Sequence, residues 1–189
     1  MNLNNFTLKA QESVQQAFNI ASAAGQQAVE CAHLLKGIMT EAESVTEFLF
    51  GKLGVSSAQL SRDLDKLIDT YPRVSGAEAY ISGSLSEAFR KANSFAAEMK
   101  DKFVTAEHLM MGILDTSDKA SQLLKDKGVT LKALKAAVKE LRKGATVDSQ
   151  TSDDTFNSLN RYAINLNERA RSGKLDPVIG RDDEIRRIL

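Results

Sequence analysis

His33 and His108 are the side chains of this sequence best suited to bind a metal or move a proton near neutral pH. They stand in the same setting. Val29-Glu-Cys-Ala-His-Leu-Leu-Lys-Gly-Ile38 and Val104-Thr-Ala-Glu-His-Leu-Met-Met-Gly-Ile113 share Val, His, Leu, Gly and Ile without a gap. A metal site needs several converging ligands, and neither histidine has a companion set at metal-ligand spacing. Histidines at equivalent places in a repeat are expected to pack or cap. Cys31, the single cysteine, stands near the expected start of a helix, where a thiolate is favoured, but a small buried Cys packs like any apolar residue. Met99, Met110, Met111 and Phe103 could form an adaptable surface for irregular polypeptides, although helical spacing turns Met110 or Met111 inward. Phosphate chemistry would need Gly-x-x-x-x-Gly-Lys-Ser/Thr. Neither Gly-Lys pair fits: Gly51-Lys52 has Thr46 and Leu53 at the flanking places, and Gly173-Lys174 has Glu168 and Leu175. The sequence therefore lacks the means to hold ATP tightly or to hydrolyse it.

The elements that position these residues come in two copies about 75 residues apart. Leu53-Gly-Val-Ser56 answers Lys127-Gly-Val-Thr130, and Leu60, Leu64 and Leu67 answer Leu134, Val138 and Leu141. Each copy opens with an amphipathic helix: Ala10, Val14, Ala17, Phe18 and Ala21 in the first, Leu85, Phe89, Ala92 and Ala96 in the second. Capping-box patterns at Ser44, Ser56 and Ser84, with Thr105 and Thr130 as further caps, mark helix starts, and Gly51, Gly54, Gly128 and Gly144 mark ends. With two prolines and few β-branched runs, the expectation is an all-α fold of eight helices, two pseudo-symmetric four-helix repeats covering each other's apolar faces. Copy one spans 1–69 and copy two 81–144, joined through Thr70–Tyr80; the polar stretch 145–158 reads as a flexible linker, and 159–189 as a truncated further domain.

Hydrophobic residues make up 42% and charged residues 26%, which suits a packed soluble core. Acids and bases balance at 25 each, so no net field draws the chain to nucleic acid or to an anionic membrane. No apolar run approaches the roughly 18 residues of a membrane span, and the N-terminus does not resemble a signal peptide, so a cytoplasmic location is expected.

The two Ala-rich helices, each followed by Val-x-x-x-His-Leu-Leu/Met-x-Gly-Ile, resemble the duplicated N-terminal domain of the Clp ATPases. Tyr162–Arg187 resembles the opening of the first nucleotide-binding domain of such an ATPase, and Tyr71-Pro-Arg-Val-Ser-Gly76 and Asn5-Phe-Thr-Leu-Lys-Ala10 resemble the ClpB-type disaggregases. The resemblance implies a parent homohexamer that uses ATP and Mg to extract unfolded or aggregated polypeptides, working with the DnaK system, with this chain as its substrate-engaging front end. It also implies a shallow peptide groove in which Thr7, Asp101 and Glu107 match polar positions and Phe95 an apolar one, and it matches Val178 and Ile179 to part of the parent's adenine pocket. Thr7 could equally cap the first helix, and Glu107 could complement a helix dipole. ClpC-like relatives place an acid before each His to hold phosphoarginine. Here copy two has Glu107 and copy one Ala32, so paired recognition of that kind is not implied. The alternative within the family is a domain that docks a folded adaptor of a Clp protease.

Overall fold

A computed structural model describes residues 3–74 and 79–153. Among these residues, eight helices run in two sets of four: α1 Leu8–Ala23, α2 Cys31–Glu41, α3 Glu43–Leu53 and α4 Ser57–Asp69, then α5 Gly83–Glu98, α6 Ala106–Leu114, α7 Lys119–Asp126 and α8 Leu131–Arg142. The all-α duplicated architecture is therefore as expected. Ser56, Thr105 and Thr130 cap their helices through the hydroxyl, while two starts differ from the sequence reading. The cap of α5 is Ser82 rather than Ser84, and α3 begins at Glu43 ahead of Ser44. Helix α3 also runs through Gly51 and stops at Gly54, whose positive φ ends the helix in the left-handed region.

The repeated Gly is a packing residue. A Cβ on Gly37 would collide with the Ser13 carbonyl oxygen and lie 3.2 Å from Ala17 N; one on Gly112 would collide with the Ala88 carbonyl oxygen and lie 3.1 Å from Ala92 N. The small residues of α1 and α5 thus let the second helix of each copy press backbone against backbone. Phe50, Leu34, Leu35, Ile38, Leu60, Leu109, Met110 and Met111 fill the common core. With Met110 and Met111 both buried, Met99 and Phe103 are the partly exposed members of the set considered as an adaptable surface.

Two short parallel pairings clasp the copies together. Strand β1, Ala28–Val29, pairs with β2, Tyr80–Ile81, and the equivalent residue Val104 of copy two pairs with Phe6 ahead of α1. The bonds match as well: Ser82 N donates to Val29 O at 3.1 Å, and Thr7 N to Val104 O at 2.9 Å. In each case the cap of one copy's first helix hangs on the strand that precedes the other copy's second helix. Such two-residue strands leave no periodic trace in a sequence.

The stretch 145–158 departs from the expected flexible linker over the part described, 145–153. Val147 is fully buried, its amide donates to Asp101 Oδ1 at 2.8 Å, and its carbonyl accepts from Lys102 N at 2.9 Å. Further on, Gln150 O accepts from Leu8 N at 2.9 Å, Gln150 Nε2 donates to Asn4 O at 2.9 Å, and Asp153 is buried against Thr7. One apolar anchor and backbone bonds hold what composition alone reads as loose, so the first compact unit continues past Gly144. The remainder of that linker, the domain beginning at 159, and Val178 and Ile179 lie outside the described residues.

Candidate functional site

The histidines cap. His33 Nδ1 accepts from the Glu30 amide at 2.9 Å and His108 Nδ1 from the Thr105 amide at 3.1 Å, the part usually played by Glu or Gln at the third helical position. An Nδ1 that accepts leaves the proton on Nε2. His33 Nε2 then faces Gln26 Oε1 at 2.7 Å, and Gln26 Nε2 donates to Ile68 O at 2.6 Å, tying α2 to the end of α4. Burial holds the His33 pKa down to about 4, against a smaller upward pull from Glu30. The folded protein therefore resists a proton that the unfolded chain takes up near pH 6.5. The stabilisation is complete above that value and is lost as pH falls toward 4, by up to about 1.4 kcal/mol per pH unit. His33→Gln keeps an acceptor for the Glu30 amide and removes the titration; its urea-unfolding free energy is expected to fall less than wild type between pH 7 and 5. Cys31 is no thiolate: burial first, and then Asp118 and Glu30, push its thiol up.

Copy two carries charge where copy one does not. At the place of Gln26 stands Asp101, at that of Ala32 stands Glu107, and at that of Ile68 stands Arg142. Arg142 lies at the end of α8, beside the first turn of α6. It donates to Asp101 Oδ2, to Glu107 Oε1 at 3.2 Å and to Thr105 Oγ1 at 3.1 Å. The side chains of all three charged residues are at most 3% exposed. His108 Nε2 lies 3.1 Å from Asp101 Oδ2 without an aligned hydrogen bond. Burial opposes the charge on both acids. The nearness of His108 Nε2 and the bonds from the Val147 amide and Arg142 outweigh it at Asp101, and the attraction of Arg142 outweighs it at Glu107, so both stay below the usual carboxylate range. Burial likewise opposes the Arg142 charge, and the two acids more than restore it.

The side chains of all four groove residues expected from the family are thus buried. Thr7 is fully buried as the cap of α1, accepting from Ala10 N and donating to Asp153; Glu107 is 1% exposed, and the Asp101 side chain as much. Phe95 is buried under the Lys135 ammonium, 4.7 Å from its ring centre. The four do not make a common open surface. The physical reason is Arg142, whose single charge draws the two acids inward, together with 145–153 lying across Thr7. What reaches the surface nearby is a cleft of about 300 Å³ lined by Met99, Lys135, Lys139, Arg142 and Gly144–Thr146. Among the described residues, the ion partner Arg142 is not singled out by the sequence reading, although its signal is present there: an Arg at a position filled by Ile in the other copy.

Residues 5–127 match the family model of the Clp repeat (R) N-terminal domain. The chain belongs to this family. Over all 189 residues it is 52% identical to the chaperone protein ClpB of Bacteroides thetaiotaomicron, of whose length it covers 22%, so it spans about a fifth of such a relative. Among solved structures, the Hsp104 N-terminal domain of Candida albicans superposes with a TM-score of 0.70 at 20% identity, over 79% of this chain and 99% of that one. A complex of the ClpV N-domain with a VipB peptide matches with a TM-score of 0.61 at 14% identity, over 77% of this chain and 94% of that one, and adds to the likeness of fold. Among the described residues, no helix of this Clp repeat domain is long and apolar enough to cross a membrane.

Proposed function

We propose that this Clp repeat domain is the substrate-engaging N-terminal domain of a cytoplasmic, ATP-driven protein disaggregase, weakly holding unfolded or aggregated polypeptide and passing it to a hexameric ATPase ring that works with the DnaK system. The observation that supports this reading best is the match to ClpB chaperones along the full length of the chain. The peptide held by a ClpV N-domain of the same fold is consistent with polypeptide as the ligand class. ATP and Mg would belong to the ring. The residues described here do not fit a nucleotide, since the sequence has no Gly-x-x-x-x-Gly-Lys-Ser/Thr loop, and no step of this domain runs through one. Its own part is binding: a shallow, weak edge suits a domain that must accept many sequences and release them.

The test is a titration of the isotope-labelled chain with reduced, carboxymethylated α-lactalbumin, a permanently unfolded protein. Amide shifts should gather around Thr7, Leu8, Asp101 and Lys102, with micromolar to millimolar affinity. The absence of any shift at millimolar ligand would sink the reading, and saturable binding of only folded partners would favour adaptor docking instead.

A further inference from the structure

In the segment 145–153, residues 145–148 run free of turn or helix beside the loop before α6 and residues 149–153 turn over the start of α1, and together they use the groups that a bound polypeptide would use. Leu8 N–H is one of the donors that a helix start leaves without a partner inside the helix, and Gln150 O accepts from it. Lys102 N–H and Asp101 Oδ1 form a donor and acceptor pair around the one residue Val147, a two-sided backbone grip like that of a strand on a sheet edge. Thr7 Oγ1 donates to the Asp153 carboxylate at the positive end of α1, and Lys102 pairs with Asp148 at 3.3 Å. Asp101 cannot turn away from this grip, because Arg142 holds its other oxygen. The pieces of the edge are therefore preset, while the segment lying on it is rich in Ser, Thr and Asp and buries Val147 as its apolar anchor. A few backbone bonds, each small in net terms, oppose the entropy of ordering the whole segment, which makes for an occupant that exchanges.

We propose that residues 145–153 are a tethered, displaceable occupant of the edge formed by Thr7, Leu8, Asp101 and Lys102, and that the vacated edge accepts an unfolded polypeptide that places an apolar residue and, after a turn, an acid at the spacing of Val147 and Asp153. This rests on the substrate-binding reading above and names its site. The four groove positions then act at different depths. Thr7 and Asp101 touch the occupant, Glu107 holds Arg142 and through it Asp101, and Phe95 stays under Lys135. The segment joins the repeats to whatever follows, so a pull on the tether would bare the edge.

The test uses the 189-residue chain with two variants, Val147→Asp, which unseats the anchor, and Asp153→Ala, which removes the contact to Thr7. Hydrogen exchange at the Leu8 and Lys102 amides should quicken up to about tenfold in Val147→Asp, with Leu109 protection reporting an intact core. A synthetic peptide of residues 145–153 added in trans should slow it again. Carboxymethylated α-lactalbumin should bind Val147→Asp about tenfold more tightly than wild type, corresponding to an edge occupied about nine-tenths of the time, and the peptide should compete it off. Asp153→Ala should move both readouts the same way by less, and it carries the test if Val147→Asp loses core protection. If lactalbumin binds all three proteins equally and the peptide restores no protection, the inference fails while the substrate reading stands. If the peptide restores protection but lactalbumin binds none of them, the edge is an acceptor as proposed and the substrate reading fails.

Discussion

Replacing Arg142 by methionine is expected to destabilise the domain by about 3–5 kcal/mol, because it leaves Asp101 and Glu107 buried without a counter-charge. Methionine keeps much of the side-chain volume, so lost packing contributes little to that figure. The informative comparison is a triple variant, Asp101→Gln with Glu107→Ala and Arg142→Ile, which gives copy two the residues of copy one. There, Gln26 already satisfies His33 Nε2 and Ala32 is fully buried without a charge. Removing a buried ion group as a whole is often neutral where removing one member is not. The triple variant should therefore recover most of the loss, to within about 1–2 kcal/mol of wild type in urea unfolding at pH 7. A triple variant as unstable as Arg142→Met would show that the charges and the fold of copy two are not separable. The acids also set the pH response of the wild type. Since their folded pKa values are depressed, the stabilisation they give is present above the ordinary carboxylate range and is lost as pH falls through it.

The second large effect is at Gly112. A methyl group there meets the Ala88 carbonyl oxygen, which is backbone and cannot rotate aside, so α6 would have to lift from α5. Gly112→Ala is expected to lose about 3 kcal/mol or more, although alanine by itself favours a helix by about 1 kcal/mol. Gly51→Ala is the control. Gly51 lies inside α3 with nothing within 4 Å of a Cβ, so the same substitution should stabilise by about 0.5–1 kcal/mol. Thermal unfolding of the two variants should move in opposite directions. A Gly112→Ala protein that melts with wild type would refute the close-contact account of the repeated Gly.

Helices were legible because their signals are local and were written twice: the apolar stripe, a hydroxyl cap and the His-Leu-x-x-Gly run recur in both copies. The histidines were readable as structural for the same reason. Less legible was anything carried by a few residues far apart in sequence. The Phe6–Val104 bridge joins residues far apart in the sequence, and residues 145–153 read as a loose polar tether because backbone bonds to Asp101, Lys102 and Leu8 leave no mark on composition. At the candidate site the sequence comparison singles out Ala32 against Glu107 and reads Glu107 as a groove edge, whereas Glu107 is buried against Arg142. An acid opposite an alanine reads as a surface anchor until the arginine opposite an isoleucine is set beside it.

The crossed pairings of Val29 with Ile81 and Val104 with Phe6 give the domain the topology of a two-fold dimer whose subunits were joined end to end. In a true dimer every substitution appears twice. Fusion removes that constraint, so Arg142 with its two acids could arise in one half while the other kept Gln26, Ala32 and Ile68. The result is a symmetric scaffold with a single asymmetric end, and its binding stoichiometry should accordingly be one polypeptide per domain rather than two.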